Sequence, residues 1–172
     1  MSERKLVISQ KQLQEKVGEL AARISADYAG KDLVLIGILN GAFIFLADLA
    51  RSITVPHQID FIRVASYGCR DSSTGAIRLT KDVELDLKDK HVLLVEDIID
   101  TGSTLEWLTK KFREQKAASV RICTLIDKKE RRSFKIPIDY VGFSLESGFL
   151  VGYGLDYAEQ HRGLPEIYTL QP

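Results

Sequence analysis

The chain has 172 residues, of which 45% are apolar, and it carries 24 acidic and 24 basic residues. This length suits one domain with a substantial core, so we expect a single domain over residues 1–172. Zero net charge argues against nucleic-acid binding, no apolar run approaches the ~18 residues of a membrane span, and no signal-peptide apolar region follows the N-terminus, so a cytoplasmic protein is expected.

The first third of the chain alternates helical and strand patterns. Ser9 and Gln12 form a capping box, and apolar residues at a spacing of about 3.6 follow it. This pattern predicts an amphipathic helix that ends near Gly30. Further elements are predicted as strands over 33–39 and 59–67 and as a helix over 42–51.

The stretch 67–90 is polar and has no clear periodicity at its start. Structureless stretches of this length in compact domains are usually functional or disordered. We predict a functional loop, with a short hairpin over 77–87 inside it.

The central stretch, 92–104, joins a strand, an acidic corner and a small hydroxyl-rich loop. Residues 92–95 are aliphatic without alternation, as in a strand covered on both faces. Three carboxylates follow, Glu96, Asp97 and Asp100, and their mutual repulsion indicates that they face a metal, sugar hydroxyls or a proton to be moved. The loop after them offers N–H groups, hydroxyls and a helix N-terminus, which suit a phosphate.

The rest of the chain continues the alternation. Leu105, Leu108 and Phe112 recur at helical spacing, and a basic run over 128–132 interrupts the apolar pattern. Strands are predicted over 120–126, 140–143, 149–153 and 167–170. Strands alternating with helices predict an α/β three-layer sandwich with a mostly parallel central sheet of four or five core strands. The N- and C-terminal segments are expected to form a small cap over its carboxyl edge.

The central stretch resembles the phosphoribosyl-diphosphate (PRPP) signature of the type I phosphoribosyltransferases. That signature has four apolar residues, two acids, two aliphatic residues, an acid and a Thr-Gly-rich loop. Segments across 33–168 resemble the 6-oxopurine branch of the same family. The chain contains no P-loop, no dinucleotide fingerprint after the first strand and no nucleophile elbow.

The resemblance implies Mg²⁺-dependent transfer of 5-phosphoribosyl from PRPP to N9 of hypoxanthine or guanine, giving IMP or GMP and pyrophosphate. Glu96 and Asp97 would position the ribose diol, directly or through Mg²⁺-bound water. Asp100 would act as the general base, or a hydrogen-bond partner, at purine N7. The residues expected to hold the 5′-phosphate are Asp100, Thr101, Gly102, Ser103 and Thr104.

Two loops earlier in the chain also resemble family segments. Leu39, Asn40 and Gly41 resemble the pyrophosphate loop, in which the family commonly has Lys where Asn40 stands and a non-proline cis peptide before it. The Asn removes a cation from the pyrophosphate end, so backbone N–H groups would remain to bind it. Ser66 and Tyr67 resemble the start of the mobile loop that closes over the reacting atoms and excludes water.

The base site is implied by two later segments. Lys128 stands where the branch has a lysine that reads the 6-oxo group, since an ammonium only donates. Phe149 would stack on the purine, and the Leu150 backbone would hydrogen-bond to it. The other members of the basic run, Lys129, Arg131 and Arg132, are interpreted as a solvated charge run.

The pyrophosphate end would be completed by Asp156 and Arg162. Asp156 would lie near Mg²⁺, giving a metal set of Glu96, Asp97 and Asp156, and Arg162 would hold pyrophosphate. Relatives form dimers or tetramers, so a homodimer or homotetramer is expected. The protein is not expected to bind a membrane or a nucleic acid.

Two alternatives remain open from the sequence. The base could be xanthine, instead of or besides hypoxanthine and guanine. The protein could instead be a PRPP-sensing regulator that binds RNA, although its zero net charge and complete acid set count against this reading.

Overall fold

A computed structural model describes residues 3–67 and 76–170 of the chain. Its strands are β1 (Arg4–Ile8), β2 (Leu33–Leu39), β3 (His57–Tyr67), β4 (Ala76–Lys81), β5 (His91–Ile99), β6 (Ser119–Lys128), β7 (Tyr140–Leu145), β8 (Leu150–Val151) and β9 (Ile167–Leu170). Its helices are α1 (Gln10–Asp27), α2 (Phe43–Ser52) and α3 (Ser103–Glu114). None of the helices in the described ranges is both long and apolar enough to cross a membrane.

The central sheet has six strands in the order β4-β3-β2-β5-β6-β7. Five of them are parallel, and β4 joins the edge antiparallel to β3. One hydrophobic core lies on the face covered by α1 and α2, and a second core lies on the face covered by α3. The predicted three-layer α/β sandwich is therefore confirmed, with six strands in the central sheet where four or five were expected.

The two ends of the chain meet in a small second sheet, as predicted. This cap has the order β1-β9-β8, with antiparallel pairing throughout. The predicted strand over 149–153 is shorter in the structure, where only Leu150 and Val151 belong to β8. Strand β1 was not predicted. Its first three residues are exposed, so it has no buried pattern to recognise.

The predicted hairpin over 77–87 is wrong. Strand β4 pairs with β3, and residues 82–87, which would form the second strand of the hairpin, are not in a strand. The apolar residues Val83 and Leu85 instead pack against the core on the α3 side. The amides of Glu84 and Leu85 donate to the Asp60 carboxylate, at 2.7 and 3.0 Å, so a side chain satisfies them where a strand partner would have done so.

Asp60 therefore fixes the segment that leads into the central strand. It is 7% exposed, and its carboxylate also accepts from its neighbour's amide and pairs with Lys81 at 3.5 Å. Burial raises the pKa of Asp60. Hydrogen bonds from the amides of Leu85, Phe61 and Glu84, together with the charge of Lys81, outweigh this effect and hold the pKa below its usual value.

We expect Asp60→Asn to lower the free energy of unfolding by about 1–3 kcal/mol at pH 7, because the Asn amide group would face N–H donors. A depressed folded-state pKa stabilises the fold above the unfolded value of about 4. This stabilisation is lost as pH falls through the folded value, so the difference should shrink below about pH 4. Urea unfolding at pH 7 and at pH 3 measures it. A constant difference would contradict the ionic explanation.

Candidate active site

The candidate site lies where parallel strands end together. Strands β2, β5 and β6 run in the same direction, so their carboxyl ends lie at one edge of the sheet. Ligands of open α/β sheets bind beyond this edge. The predicted pyrophosphate loop, acidic corner and Lys128 lie at the carboxyl ends of these three strands, in that order.

The acidic pair, Glu96 and Asp97, lies near the carboxyl end of β5, and its two carboxyl groups are close enough to interact. The Asp97 amide donates to Glu96 Oε1 at 3.0 Å, and the Ile98 amide donates to Asp97 Oδ1 at 2.8 Å. Burial, followed by the charge and hydrogen bonding of Asp97, raises the pKa of Glu96 well above its usual value. Two close carboxylates in a low-dielectric site cannot readily ionise together. The pair can therefore both donate and accept hydrogen bonds, as a diol requires.

Two glycines bring three loops into contact around Asp97. A Cβ placed on Gly41 would overlap the Asp97 carboxylate, with its Cγ 2.6 Å away. A Cβ on Gly154 would overlap the Gly41 carbonyl, and the φ of Gly154 is +100°, a conformation that side chains disfavour. The pyrophosphate loop, the acidic pair and the C-terminal segment thus meet without intervening side chains. The sequence analysis gave Gly154 no role in the site.

The pyrophosphate loop has the backbone that the resemblance implied. The Leu39–Asn40 peptide is cis, and the Asn40 side chain is exposed. The Ala42 amide donates to the Ile38 carbonyl at 3.2 Å, which closes the turn into α2. Pyrophosphate binding by Leu39, Asn40 and Gly41 remains a prediction.

The predicted phosphate loop, residues 100–104, joins β5 to α3. Gly102 occupies the N-cap position of α3 with a φ of +89° and provides no side-chain cap, and the Ser103 amide makes a long contact of 3.4 Å with Thr101 Oγ1. The hydroxyls of Thr101 and Ser103 lie 3.2 Å apart. The uncapped helix end and the hydroxyls suit an anion.

Asp100 is the first residue of this loop, and its two carboxylate oxygens have different surroundings. Its Oδ2 lies 3.3 Å from an Arg131 guanidinium nitrogen. Its Oδ1 is buried without a hydrogen-bond partner among the described residues. A buried unsatisfied acceptor is costly, so it marks a place where a ligand donor would be stabilising.

The interpretation of Lys129, Arg131 and Arg132 as a solvated charge run is wrong for Arg132, whereas the Arg131 side chain is 67% exposed. Arg131 pairs with Asp100, and the Arg132 side chain is only 20% exposed and pairs with Asp127. The Arg132 Nε also donates to the Asp100 carbonyl at 3.1 Å. The charged pattern alone did not reveal this, because the partners are provided by neighbouring strand ends.

The predicted base-site residues differ in exposure. Lys128 is the last residue of β6, its side chain is 16% exposed, and its Nζ lies 3.7 Å from Glu130. Phe149 is 52% exposed and packs edge-to-face on Tyr157, with centroids 5.4 Å apart. Leu150 is buried in β8. Exposed aromatic rings of this size are available for a planar ligand. The sequence reasoning did not single out Tyr157.

Arg162 organises the C-terminal segment rather than lying free. It pairs with Asp156 at 3.2 Å and donates to the Gly154 carbonyl at 2.8 Å. The described residues contain no group of three His, Cys, Asp or Glu arranged to hold a metal. Glu96, Asp97 and Asp156 therefore do not form a complete metal site among the described side chains, and their role at a metal remains a prediction.

The predicted mobile loop lies largely outside the described residues. Ser66 and Tyr67 are the last residues of β3, where they pair with Ile77 and Ala76 of β4. Gly68 lies outside the described residues.

Comparison with known proteins gives consistent results. Residues 9–158 match the phosphoribosyl transferase domain family. The chain is 45% identical over 168 residues to the hypoxanthine-guanine phosphoribosyltransferase of Streptococcus pneumoniae, covering 98% of this chain and 93% of that one. It is 44% identical to the hypoxanthine phosphoribosyltransferase of Haemophilus influenzae, covering 94% and 92%. A Bacillus anthracis hypoxanthine-guanine phosphoribosyltransferase structure, with HEPES in its active site, superimposes with a TM-score of 0.93 at 43% identity and covers 99% of both chains.

Proposed function

The chain belongs to the phosphoribosyl transferase domain family, and from this premise we propose that it is a purine salvage enzyme. It transfers 5-phosphoribosyl from PRPP to N9 of hypoxanthine or guanine, releasing pyrophosphate and forming IMP or GMP. Its similarity over nearly the whole length to enzymes named for this reaction supports the proposal. The observation in the site that supports it most strongly is Asp100 Oδ1 at the start of the phosphate loop, which is buried and has no partner in the described part of the chain.

The acidic pair would act on the sugar. Bond cleavage at the anomeric carbon develops positive charge on the ribose, as in glycosidases. Asp97, held between Gly41 and the Ile98 amide, would accept from a ribose hydroxyl. Glu96, with its raised pKa, is suited to donate to the other hydroxyl or accept from it.

The phosphate loop and Asp100 would hold the two ends of the nucleotide. The 5′-phosphate would bind at the uncapped N-terminus of α3 and at the hydroxyls of Thr101, Ser103 and Thr104. Asp100 Oδ1 would accept the proton at purine N7, or hydrogen-bond to it, while Arg131 holds Oδ2. The purine would lie between these residues and the exposed face of Phe149.

Mg²⁺ is part of the proposal, because the carboxylates present are the hard oxygen ligands it prefers. Protein sites commonly give Mg²⁺ one or two carboxylates and leave the remaining positions to phosphates and water, so a complete protein cluster is not needed. Glu96, Asp97 and Asp156 would supply those carboxylates. Bound Mg²⁺ supplies positive charge that stabilises the departing pyrophosphate. Arg162 and the amides of 39–41 would bind the same group.

The proposal also covers the assembly and location of the protein. We propose one domain over residues 1–172, a homodimer or homotetramer, and a cytoplasmic location. PRPP carries several negative charges, and moving charged groups into an apolar membrane is energetically costly. Enzymes that use PRPP are therefore expected in the compartment where it is made. Light scattering of the purified protein would test the assembly.

The test of the proposed reaction mixes the protein with PRPP and Mg²⁺ and gives hypoxanthine, guanine, xanthine and adenine separately. Turnover with hypoxanthine or guanine, lost on chelating Mg²⁺, is expected. Turnover with xanthine alone would reassign the base. Tight PRPP binding without turnover on any base would instead favour a PRPP-sensing regulator, and an RNA gel-shift with a salt series would then test for RNA binding.

Replacing Lys128 tests how the base is read. We expect Lys128→Gln to lower kcat/KM for hypoxanthine by about 10–100-fold, because hydrogen bonds from charged groups contribute roughly 1.5–3 kcal/mol. The KM for PRPP should stay near that of the wild type. The adjacent and exposed Lys129 gives a matched control, Lys129→Gln. An unchanged kcat/KM for hypoxanthine would remove Lys128 from base recognition.

A further inference from the structure

The segment 132–134 packs against the phosphate loop and hydrogen-bonds to its backbone. The Arg132 Nε donates to the Asp100 carbonyl at 3.1 Å. The amides of Ser133 and Phe134 both donate to the Thr101 carbonyl at 3.2 Å. Three donors from one short segment therefore hold two successive carbonyls of the loop.

Holding these carbonyls also fixes the amides that follow them. In a planar trans peptide the carbonyl and the next residue's N–H point in opposite directions. The Asp100 and Thr101 carbonyls face the segment, so the N–H groups of Thr101 and Gly102 point away from it. Among the described residues, neither of these amides donates to a protein acceptor. They are therefore free to bind an anion.

Arg132 is anchored by a second, nearly buried contact. Its guanidinium donates to Asp127 Oδ1, and Asp127 is only 7% exposed near the end of β6. Its side chain also packs against the loop, since a Cβ on Gly102 would lie 3.6 Å from the Arg132 Cδ. One guanidinium thus joins the strand that carries Lys128 to the loop that begins with Asp100. A planar guanidinium with several fixed donors suits such a bridge.

We infer that Arg132, anchored by Asp127, is a positioning residue for 5′-phosphate binding. It acts through the backbone of the phosphate loop and touches neither substrate. With it in place, the free amides of Thr101 and Gly102 are already aimed before the phosphate arrives. This inference rests on the proposed function, because it needs a 5′-phosphate ligand at the loop.

The test compares IMP with inosine, which differ only in the 5′-phosphate. Arg132→Gln is expected to weaken IMP binding about 10–100-fold, as misaligned binding groups do, and to change inosine binding less than about 3-fold. The KM for PRPP should rise by a similar factor, while the KM for hypoxanthine changes little. The ratio of the two dissociation constants does not depend on the folded fraction of the sample. Calorimetric titration, with IMP displacing weakly bound inosine, measures both constants.

Three further variants separate positioning from folding. Asp127→Asn keeps the side-chain volume but removes the charge that anchors Arg132. It should therefore also lower the ratio of the inosine dissociation constant to the IMP dissociation constant (the inosine-to-IMP ratio), but by a smaller factor than Arg132→Gln does. Arg132→Lys keeps the charge but not the fixed donor geometry, so it should rescue only part of the ratio. Arg113→Gln removes an exposed arginine from the end of α3 and should leave the ratio unchanged.

The outcomes distinguish this inference from the proposed function. If the wild-type protein binds neither IMP nor PRPP, the proposed function fails. If it binds IMP and Arg132→Gln leaves the inosine-to-IMP ratio at the wild-type value, Arg132 does not position the phosphate loop. A ratio lowered equally by Arg113→Gln would overturn the inference as well, because a general charge effect would then explain the loss.

Discussion

Asp100→Asn is expected to lower the turnover of hypoxanthine by about 10²–10⁴-fold, the usual contribution of a positioned general base. The amide keeps the shape of the carboxylate but loses its charge and its basicity. Asp100 Oδ1 is buried and has no hydrogen-bond partner within residues 3–67 and 76–170, so it is available to accept the purine proton. The dissociation constant for PRPP should change less than about 3-fold, because the phosphate loop would still be held through its backbone carbonyls.

The lost contact with Arg131 is a weak competing explanation. The Arg131 side chain is 67% exposed, and exposed ion pairs contribute less than about 1 kcal/mol. A matched control is Asp32→Asn, which removes an exposed ion pair with Lys90 at the opposite ends of the strands. Single-turnover kinetics with saturating PRPP would measure the chemical step directly. Wild-type turnover in Asp100→Asn would remove Asp100 from the mechanism.

Elements with a local pattern could be predicted from the sequence. The capping box of Ser9 and Gln12 is present at the start of α1, because both of its hydrogen bonds join residues three apart. Strand β2 spans the predicted run, Leu33–Leu39, since a strand buried on both faces is continuously apolar. The cis peptide before Asn40 was implied by the resemblance alone.

Features that depend on distant partners could not be predicted in the same way. Strand β1 is mostly exposed, and only its pairing with β9, at the other end of the chain, makes it a strand. In the sequence Arg132 looks like an exposed charged residue. Its partners, the Asp127 carboxylate of β6 and the Asp100 carbonyl after β5, are close to it only in the folded structure. The close approach of Gly154 to the Gly41 carbonyl produces no periodic pattern in the sequence. Such contacts are set by tertiary structure, and they join the parts of the site.

Gly41→Ala is the second variant with a large expected effect, because the added methyl group would occupy space held by Asp97. The new Cβ would lie 2.6 Å from the Asp97 Cγ, closer than real Cβ atoms approach. Asp97 is 8% exposed, and its Oδ1 accepts from the Ile98 amide, so it cannot swing freely into solvent. We expect kcat/KM to fall about 100-fold through the displaced carboxylate, and unfolding free energy to fall by about 1–3 kcal/mol.

A double-mutant cycle would show that this contact is the cause. In an Asp97→Ala background the carboxylate is gone, so Gly41→Ala should no longer lower the free energy of unfolding. The matched control is Gly18→Ala on the exposed face of α1, where no described residue lies within 4 Å of the new Cβ. That variant should leave activity unchanged and stabilise the protein by about 0.5–1 kcal/mol, because alanine favours a helix interior. If Gly41→Ala costs the same stability in both backgrounds, the pyrophosphate loop does not depend on its contact with Asp97.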